Sequence, residues 1–447
     1  AGDDAGPGHT VHPPGNQKSC IGETGERDMS LLGSIVTLSL AFLGTPLFVV
    51  IAASGLLSLY FDGIDSSALI IELYKLAHTP SLPAIPLFAL AGYLLAASKA
   101  PQRMVRISNA LLGWAPGGLA VIALLVSAVF TALTGATGLT IIALGGLLFP
   151  ALQMQKYPEK FSLGLLTTSG TLGLLFPPSF PIILYGIVAR ISIDHLFLAG
   201  ILPGLLMVFL LSLYSAWKGL RARVARPRFT LRELGRAFKE SIWEIPLPFV
   251  VLGGIYGGYV AVSEAAVLTV VYVLVIEMGV YRDIQIKDLV PIILKAGVLV
   301  GGILIILGFS FGLTNTLINE EIPARLLEFL KIHVQSPLVF LLWLNLFLLG
   351  AGCLLGMFPA LIVLVPLILP VAQAYGLHPV HLGIILLTNL EIGASLPPVG
   401  INLFVSSIRF ERSVVDLYRA SIPYILILLF VLIVITYWPP LSLALLP

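Results

Sequence analysis

Leu175-Phe176-Pro177-Pro178-Ser179-Phe180-Pro181 and Leu396-Pro397-Pro398-Val399-Gly400 are the two stretches on which the fold turns. Each interrupts a long apolar run, 161–189 and 381–408. As one straight helix such a run would be about 43 Å long, well beyond the roughly 30 Å of bilayer hydrocarbon. Proline removes a backbone donor and cannot continue the preceding turn, so two half-helices meet at each interruption. The carbonyls and amides freed there are intolerable against lipid and must face protein, water or a ligand.

The chain around these breaks reads as a membrane protein. Its 447 residues are 58% hydrophobic and 11% charged, and the mean hydropathy of +1.01 is far outside the globular range. Apolar runs fill nearly everything between Leu31 and Trp438, which excludes a soluble enzyme, a nucleic-acid binder and a disordered regulator. A transmembrane barrel is excluded as well, since its strands would alternate in ten-residue segments. Cys20 lies in a polar leader and Cys353 in an apolar run, so neither a disulfide framework nor a metal cluster can be built. There is no His-Glu-x-x-His helix, no phosphate-cradling loop and no serine nucleophile elbow, which leaves an intramembrane hydrolase or an ATP-driven pump unsupported. His378 and His381 read as solvated loop residues.

Residues 1–28 are polar, without the hydrophobic core of a signal peptide, and are expected to form a disordered extension, with Met29 the candidate start. Residues 218–240 carry eight Lys/Arg against two Glu and read as an amphipathic cytoplasmic linker dividing the chain into comparable halves, 29–217 and 242–447, with the linker at 218–241. At an offset of 220 residues Gly92 aligns with Gly312, Pro150 with Pro370, Gly173 with Gly393, Pro177-Pro178 with Pro397-Pro398, and Pro203 with Pro423. That is more Pro-on-Pro matching than 31 prolines give by chance, and it indicates an internal repeat.

Each half reads as a helix pair (31–43 and 46–60; 242–260 and 263–281), a third helix (83–98; 289–313) and a long apolar block with Gly or Pro at its middle (117–153; 338–374). The broken run and a final helix (196–217; 417–438) come next. If each block turns back as a re-entrant hairpin, each half crosses five times, and the odd count inverts the second half. With the linker inside, Lys99, Arg103, Arg106, Lys156, Lys160, Arg409, Arg412 and Arg419 also fall inside. The cation-free segment 374–381 and both termini fall outside. The expected fold is an all-α polytopic membrane protein of two inverted repeats, each with a re-entrant hairpin and a Pro-Pro broken helix, the architecture of secondary transporters.

Carbonyls at a break can ligate a small cation, and hydroxyl and amide side chains would complete the shell. Thr171 and Ser179 are the candidates in the first half; Thr388, Asn389, Ser395 and Asn402 in the second. The alternative is a kink used only for packing, but two breaks at matching positions, each with a glycine-bearing hairpin, argue for a site. The hairpin midpoints are read at Thr134-Gly135-Ala136-Thr137-Gly138 and at Gly350-Ala351-Gly352, with Gly356 shortly after; small residues there permit a reversal and close approach to the opposing break. Glu391, six residues before the second break, reads either as a coupling or proton-carrying group or as a residue facing an aqueous cavity. Glu264, in Ser263-Glu264-Ala265-Ala266, reads as a helix-start cap.

Three segments carry a family resemblance. Pro86-Leu87-Phe88-Ala89-Leu90-Ala91-Gly92 resembles a segment of the large membrane subunit of TRAP (tripartite ATP-independent periplasmic) transporters, the DctM-like family. Leu175 to Ser179 with Ile183-Leu184-Tyr185-Gly186 and Leu196 to Gly204 is similar to that family's first broken helix and the segment immediately after it. Asn389-Leu390-Glu391-Ile392-Gly393 through Pro397-Pro398-Val399-Gly400-Ile401-Asn402-Leu403-Phe404-Val405 is similar to the second. The likeness covers residues 30–438.

The resemblance implies an elevator mechanism and sodium-driven import of an organic acid, a carboxylate, across the bacterial inner membrane. It implies as partners a small four-helix (DctQ-like) membrane subunit and a periplasmic (DctP-like) substrate-binding protein. Sodium would be the coupling ion, with no cofactor and no transition metal. By position it places ion sites at the 134–138 tip with the Pro177 break and at the 350–356 tip with the Pro397 break, whose loop includes Gly400. The chain departs from the family pattern in three places: the first tip is Thr-rich instead of Ser-rich, Leu396 stands where Thr is expected, and Ser263 stands where Thr precedes Glu264. Leu396 removes a hydroxyl from the second site. Beside this reading stand an ion-coupled carrier that needs no binding protein and, from another class, a membrane enzyme acting on lipid-linked substrates.

Overall fold

The computed structural model describes residue 39 and residues 44–61, 65, 67–222, 224, 229–319 and 321–446. The expected extension 1–28 and, except for Ser39, the expected helix 31–43 lie outside these. Among the described residues the regular structure is helical, and seven helices are long and apolar enough to cross a bilayer, or up to nine if each of two bent pairs is one span.

The first half includes α1 (Leu47–Phe61), α2 (Ser67–Ala77) and α3 (Ala84–Ala97), which turns by 73° into α4 (Ala100–Leu112). Then come α5 (Gly118–Thr134), α6 (Thr137–Met154), α7 (Glu159–Ser169) with a 3-10 extension Gly170–Leu175, α8 (Phe180–Ala189) and α9 (Ile193–Arg221). The linker contributes α10 (Leu231–Glu240). The second half runs α11 (Pro246–Tyr256), α12 (Val262–Leu274) with a wider turn Val275–Val280, α13 (Ile286–Asn319), α14 (Ile322–His333), α15 (Pro337–Leu355), α16 (Met357–Ala374), α17 (Pro379–Gly393), α18 (Ile401–Phe410), α19 (Val414–Tyr437) and α20 (Pro440–Leu443).

Hydropathy alone locates the long elements, whereas the short amphipathic α2, α4, α10 and α14 have no counterpart in the expected helix set. Their charged residues read as loop because a helix half in water is only half apolar. Arg103 shows what α4 does. Its guanidinium bonds Glu244, Glu277 and Asp283 and lies 3.8 Å from the centre of the Tyr281 ring. This side chain therefore ties the helix after the 73° bend to the ends of α10 and α12. Among the described residues α1, α2, α3, α12 and α13 pack on one another, while the hairpins and broken helices pack mainly on each other and on α9 and α19.

Both long Gly/Pro-centred blocks are hairpins. In the first, Gly135 closes α5 in the left-handed region (φ 64), its amide reaching Thr131 O at 2.7 Å. In the second the reversal is at Gly356 (φ 75), four residues beyond the expected Gly350–Gly352 midpoint. Gly350 and Gly352 are still helical, and only Gly356 takes the positive φ that a residue with a Cβ resists. His381 also departs from expectation: it is buried on α17, its Nδ1 2.6 Å from Ser442 Oγ, because α20 folds back over it. Glu264 is a cap as read, its carboxylate accepting from the Ala261 amide at 2.8 Å.

Candidate functional site

Each hairpin reaches its own broken helix through glycine. A Cβ on Gly173 would collide with the Ala128 carbonyl and Thr131; its counterpart at offset 220, Gly393, would place one 2.6 Å from the Leu349 carbonyl and 2.9 Å from Gly352 Cα. Gly352 in turn lies against the Leu390 carbonyl. Backbone thus meets backbone, which only a missing side chain permits. The tip of the first hairpin goes further, since a Cβ on Gly135 would be 2.5 Å from Phe180 Cβ at the start of α8.

The second arm of each hairpin crosses to the other half. α6 packs on α18, and α16 packs on α8. At the first crossing Thr137 Oγ1 donates to Asn402 Oδ1 at 2.9 Å, Asn402 Nδ2 reaches Ser395 Oγ at 3.2 Å, and the Asn402 amide closes on the Ala394 carbonyl at 3.0 Å. Gly138 faces Val405 there, and Gly170 sits against the Thr137 carbonyl. Glu391 is buried beside Asn402, one carboxylate oxygen without a hydrogen-bond partner among the described residues. At the second crossing the contact is apolar, with Phe180 and Phe358 ring centres 5.0 Å apart.

The two sites read from the sequence are therefore redistributed. Of the tip Thr134-Gly135-Ala136-Thr137-Gly138, Gly135 meets the first break at Phe180, whereas Thr137 joins Asn402 and Gly138 faces Val405, both in the stretch that the sequence assigned to the second. Thr134 and Ser179 flank the Gly135–Phe180 contact, and each carries a buried hydroxyl with no hydrogen-bond partner among the described residues. Such a group costs about 1–3 kcal/mol unless something binds it. Pro177 and Pro397 lie in the breaks, both Pro-Pro bonds being cis, and Gly400 (φ 29) leads into α18. Thr171 and Thr388 turn their hydroxyls to their own helices, onto Thr168 O and Ile384 O. Asn389 points away from the break, to Asn345, which bonds Thr436 in turn. Gly350 is exposed with open space around it and takes no part.

Leu396 offers its carbonyl instead of a hydroxyl, and Cys353 Sγ in the second hairpin reaches it at 3.1 Å. Residues that sequence reasoning passed over include the buried pair Thr131 and Thr140, 2.7 Å apart across the first hairpin. Their spacing across the tip was a visible signal. The Arg103 cluster was less so, because its carboxylates come from the other half of the chain. The donors gathered at the first crossing are hydroxyl, amide and carbonyl oxygens with one carboxylate nearby, a set that suits a hard monovalent cation and no transition metal.

Paired hairpins and paired breaks in an all-α membrane chain are the architecture of a multi-pass secondary transporter. The chain belongs to the family described as the tripartite ATP-independent periplasmic transporter, DctM component, which it matches over residues 34–441. It is 34% identical to the C4-dicarboxylate TRAP transporter large permease protein DctM of Pseudomonas aeruginosa, across 88% of this chain and 92% of that one. It is 30% identical to the ectoine/5-hydroxyectoine TRAP transporter large permease protein UehC of Ruegeria pomeroyi, across 90% and 95%. Among solved structures, the YdaH transporter of Alcanivorax borkumensis shares the fold, with a TM-score of 0.63 at 15% identity over 93% of this chain and all of that one.

Proposed function

We propose that this chain is the membrane-embedded permease of an inner-membrane importer that takes an organic acid from a periplasmic binding protein and moves it with sodium. The observation that carries the reading is the first crossing, where Thr137, Ser395 and Asn402 bring hydroxyl and amide oxygens from both halves to one place. The orphaned hydroxyls of Thr134 and Ser179 give a second oxygen set at the Gly135–Phe180 contact. Sodium ions held at these tips would bind the hairpins to the breaks, and the half-helix start at Ile401 would favour the negative charge of a carboxylate.

The hairpins and broken helices move as one body against α1, α2, α3, α12 and α13, an elevator, with the linker cytoplasmic, both termini periplasmic and the two halves inverted. The word tripartite in the family's name, and the word large in its relatives' names, support two partners: a small membrane subunit and a soluble binding protein. Relatives named for dicarboxylates and for ectoines make a small carboxylate the substrate class to test first. Reconstituted uptake decides. Transport that requires binding protein, small subunit and a sodium gradient supports the reading; transport on the gradient alone makes the chain a self-sufficient carrier; turnover of a lipid-linked substrate without vectorial uptake makes it an enzyme.

A further inference from the structure

A groove of about 1030 Å³ runs between α4, α5, α9 and the linker helix α10, away from the crossings. It is lined by Val129 and Leu133 of the first hairpin, Pro177 at the back of the break, Leu205 of α9, and Leu234 and Phe238 of α10. Its size is that of a whole small-molecule site, not of a packing void. Among its described lining residues one is charged, Glu244, whose carboxylate Arg103 holds, and apart from it and the serines Ser108 and Ser241 the wall is apolar.

The helix that closes the groove has three faces. At about 100° per residue, Leu231, Leu234, Gly235 and Phe238 share the face that lines it. Glu233 and Glu240 lie on a second face and hold Arg106 of α4. Arg232, Arg236 and Lys239 form a third, flanking the apolar face; all three are exposed, and no ion pair engages them among the described residues. A helix with an apolar face and a free basic flank lies at the membrane surface and attracts anionic headgroups.

We propose that an anionic phospholipid occupies this groove, its acyl chains between α5, α9 and α10 and its phosphate at Arg232, Arg236 and Lys239. The chemistry matches at both ends, apolar wall to hydrocarbon and cationic flank to phosphate, and the lipid would sit directly behind the Pro177 break. The proposal rests on the chain being a membrane protein and not on its substrate or coupling ion.

Native mass spectrometry of the purified full chain, with phosphatidylglycerol and phosphatidylethanolamine supplied in equal amounts, tests it. The expected result is one tightly retained phosphatidylglycerol. The triple change Arg232→Gln, Arg236→Gln, Lys239→Gln should weaken its retention by roughly 100-fold, at about fivefold per cation. Arg232→Lys with Arg236→Lys should keep it, which separates charge from misfolding. Gly235→Trp, at a position with open space for a side chain, should block retention of either lipid. Equal retention of the two lipids, or an unchanged preference in the triple variant, overturns the proposal. So does displacement of the lipid by the small membrane subunit in the assembled complex, which would make the groove a subunit contact.

Discussion

Thr137, at the tip of the first hairpin, donates its hydroxyl to the Asn402 side chain at the start of the second broken helix's outer half, 2.9 Å away and 265 residues along the chain. The corresponding positions at offset 220 are Met357 and Ile182, which can make no such bond. There the aromatic pair Phe180 and Phe358 takes over. Two crossings that correspond in topology are thus unlike in chemistry, and the polar one is where ion-dependent behaviour should concentrate.

If the proposed sodium coupling runs through this crossing, Asn402→Ala should lower uptake by roughly 10- to 100-fold, the range expected from losing a buried hydrogen bond and leaving its partners unsatisfied, about 1–3 kcal/mol. Thr137→Val should act in the same direction and Thr137→Ser should largely restore uptake. The measurement is sodium-dependent flux in vesicles with membrane insertion checked in parallel. Wild-type sodium dependence in both Asn402→Ala and Thr137→Val would remove the first crossing from the coupling machinery.

Ser179 gives a sharper discrimination. Its buried hydroxyl has no partner among the described residues, so a purely structural role predicts that Ser179→Ala is neutral or slightly stabilising. An ion-ligating role predicts lost uptake with unchanged or raised thermal stability in sodium-free buffer, and a smaller rise in melting temperature on adding sodium than the wild type shows. Thermal melts with and without sodium separate the two.

The breaks and hairpins were legible in the sequence because they rest on residues whose physics is local: proline without a donor, glycine without a Cβ, apolar runs too long for one span. What was not legible depends on distance in the chain. Thr137 and Asn402 each stand out as oxygen ligands but fall in separate sites on paper, since nothing in either neighbourhood reports the crossing of α6 over α18. The second hairpin's turn is displaced for a related reason. Three glycines within seven residues are equivalent on paper, and only packing selects Gly356 for the positive φ and Gly352 for contact with Leu390.

That distinction is testable on stability. Gly393→Ala puts a methyl 2.6 Å from the Leu349 carbonyl and should cost about 1–3 kcal/mol or more, seen as a lower melting temperature in detergent or as lost expression. Gly173→Ala should do the same in the first half. Gly350→Ala meets nothing within 4 Å and replaces a helical glycine, so it should be neutral or stabilising by up to about 1 kcal/mol. A severe Gly350→Ala would return the second tip to the Gly350–Gly352 stretch.

The Arg103 cluster sets a pH dependence whose sign can be worked out. Glu244 lies in the turn between α10 and α11, outside the spanning helices, and burial pushes its carboxyl from the ordinary 4.5 up to about 7, with Arg103 opposing the shift. A raised folded value means that between these limits the folded chain holds a proton that the unfolded chain releases. The associated stability is fully present below about 4.5 and is lost as the pH rises through about 7. Melting temperature in detergent should fall across that interval, and Glu244→Gln should flatten the fall. Arg103→Met should be far more damaging, by about 3–5 kcal/mol, because it strands Glu244, Glu277 and Asp283 without their shared cation. If Glu244→Gln leaves the slope of melting temperature against pH untouched, the titrating group at the α4 anchor is another member of the cluster.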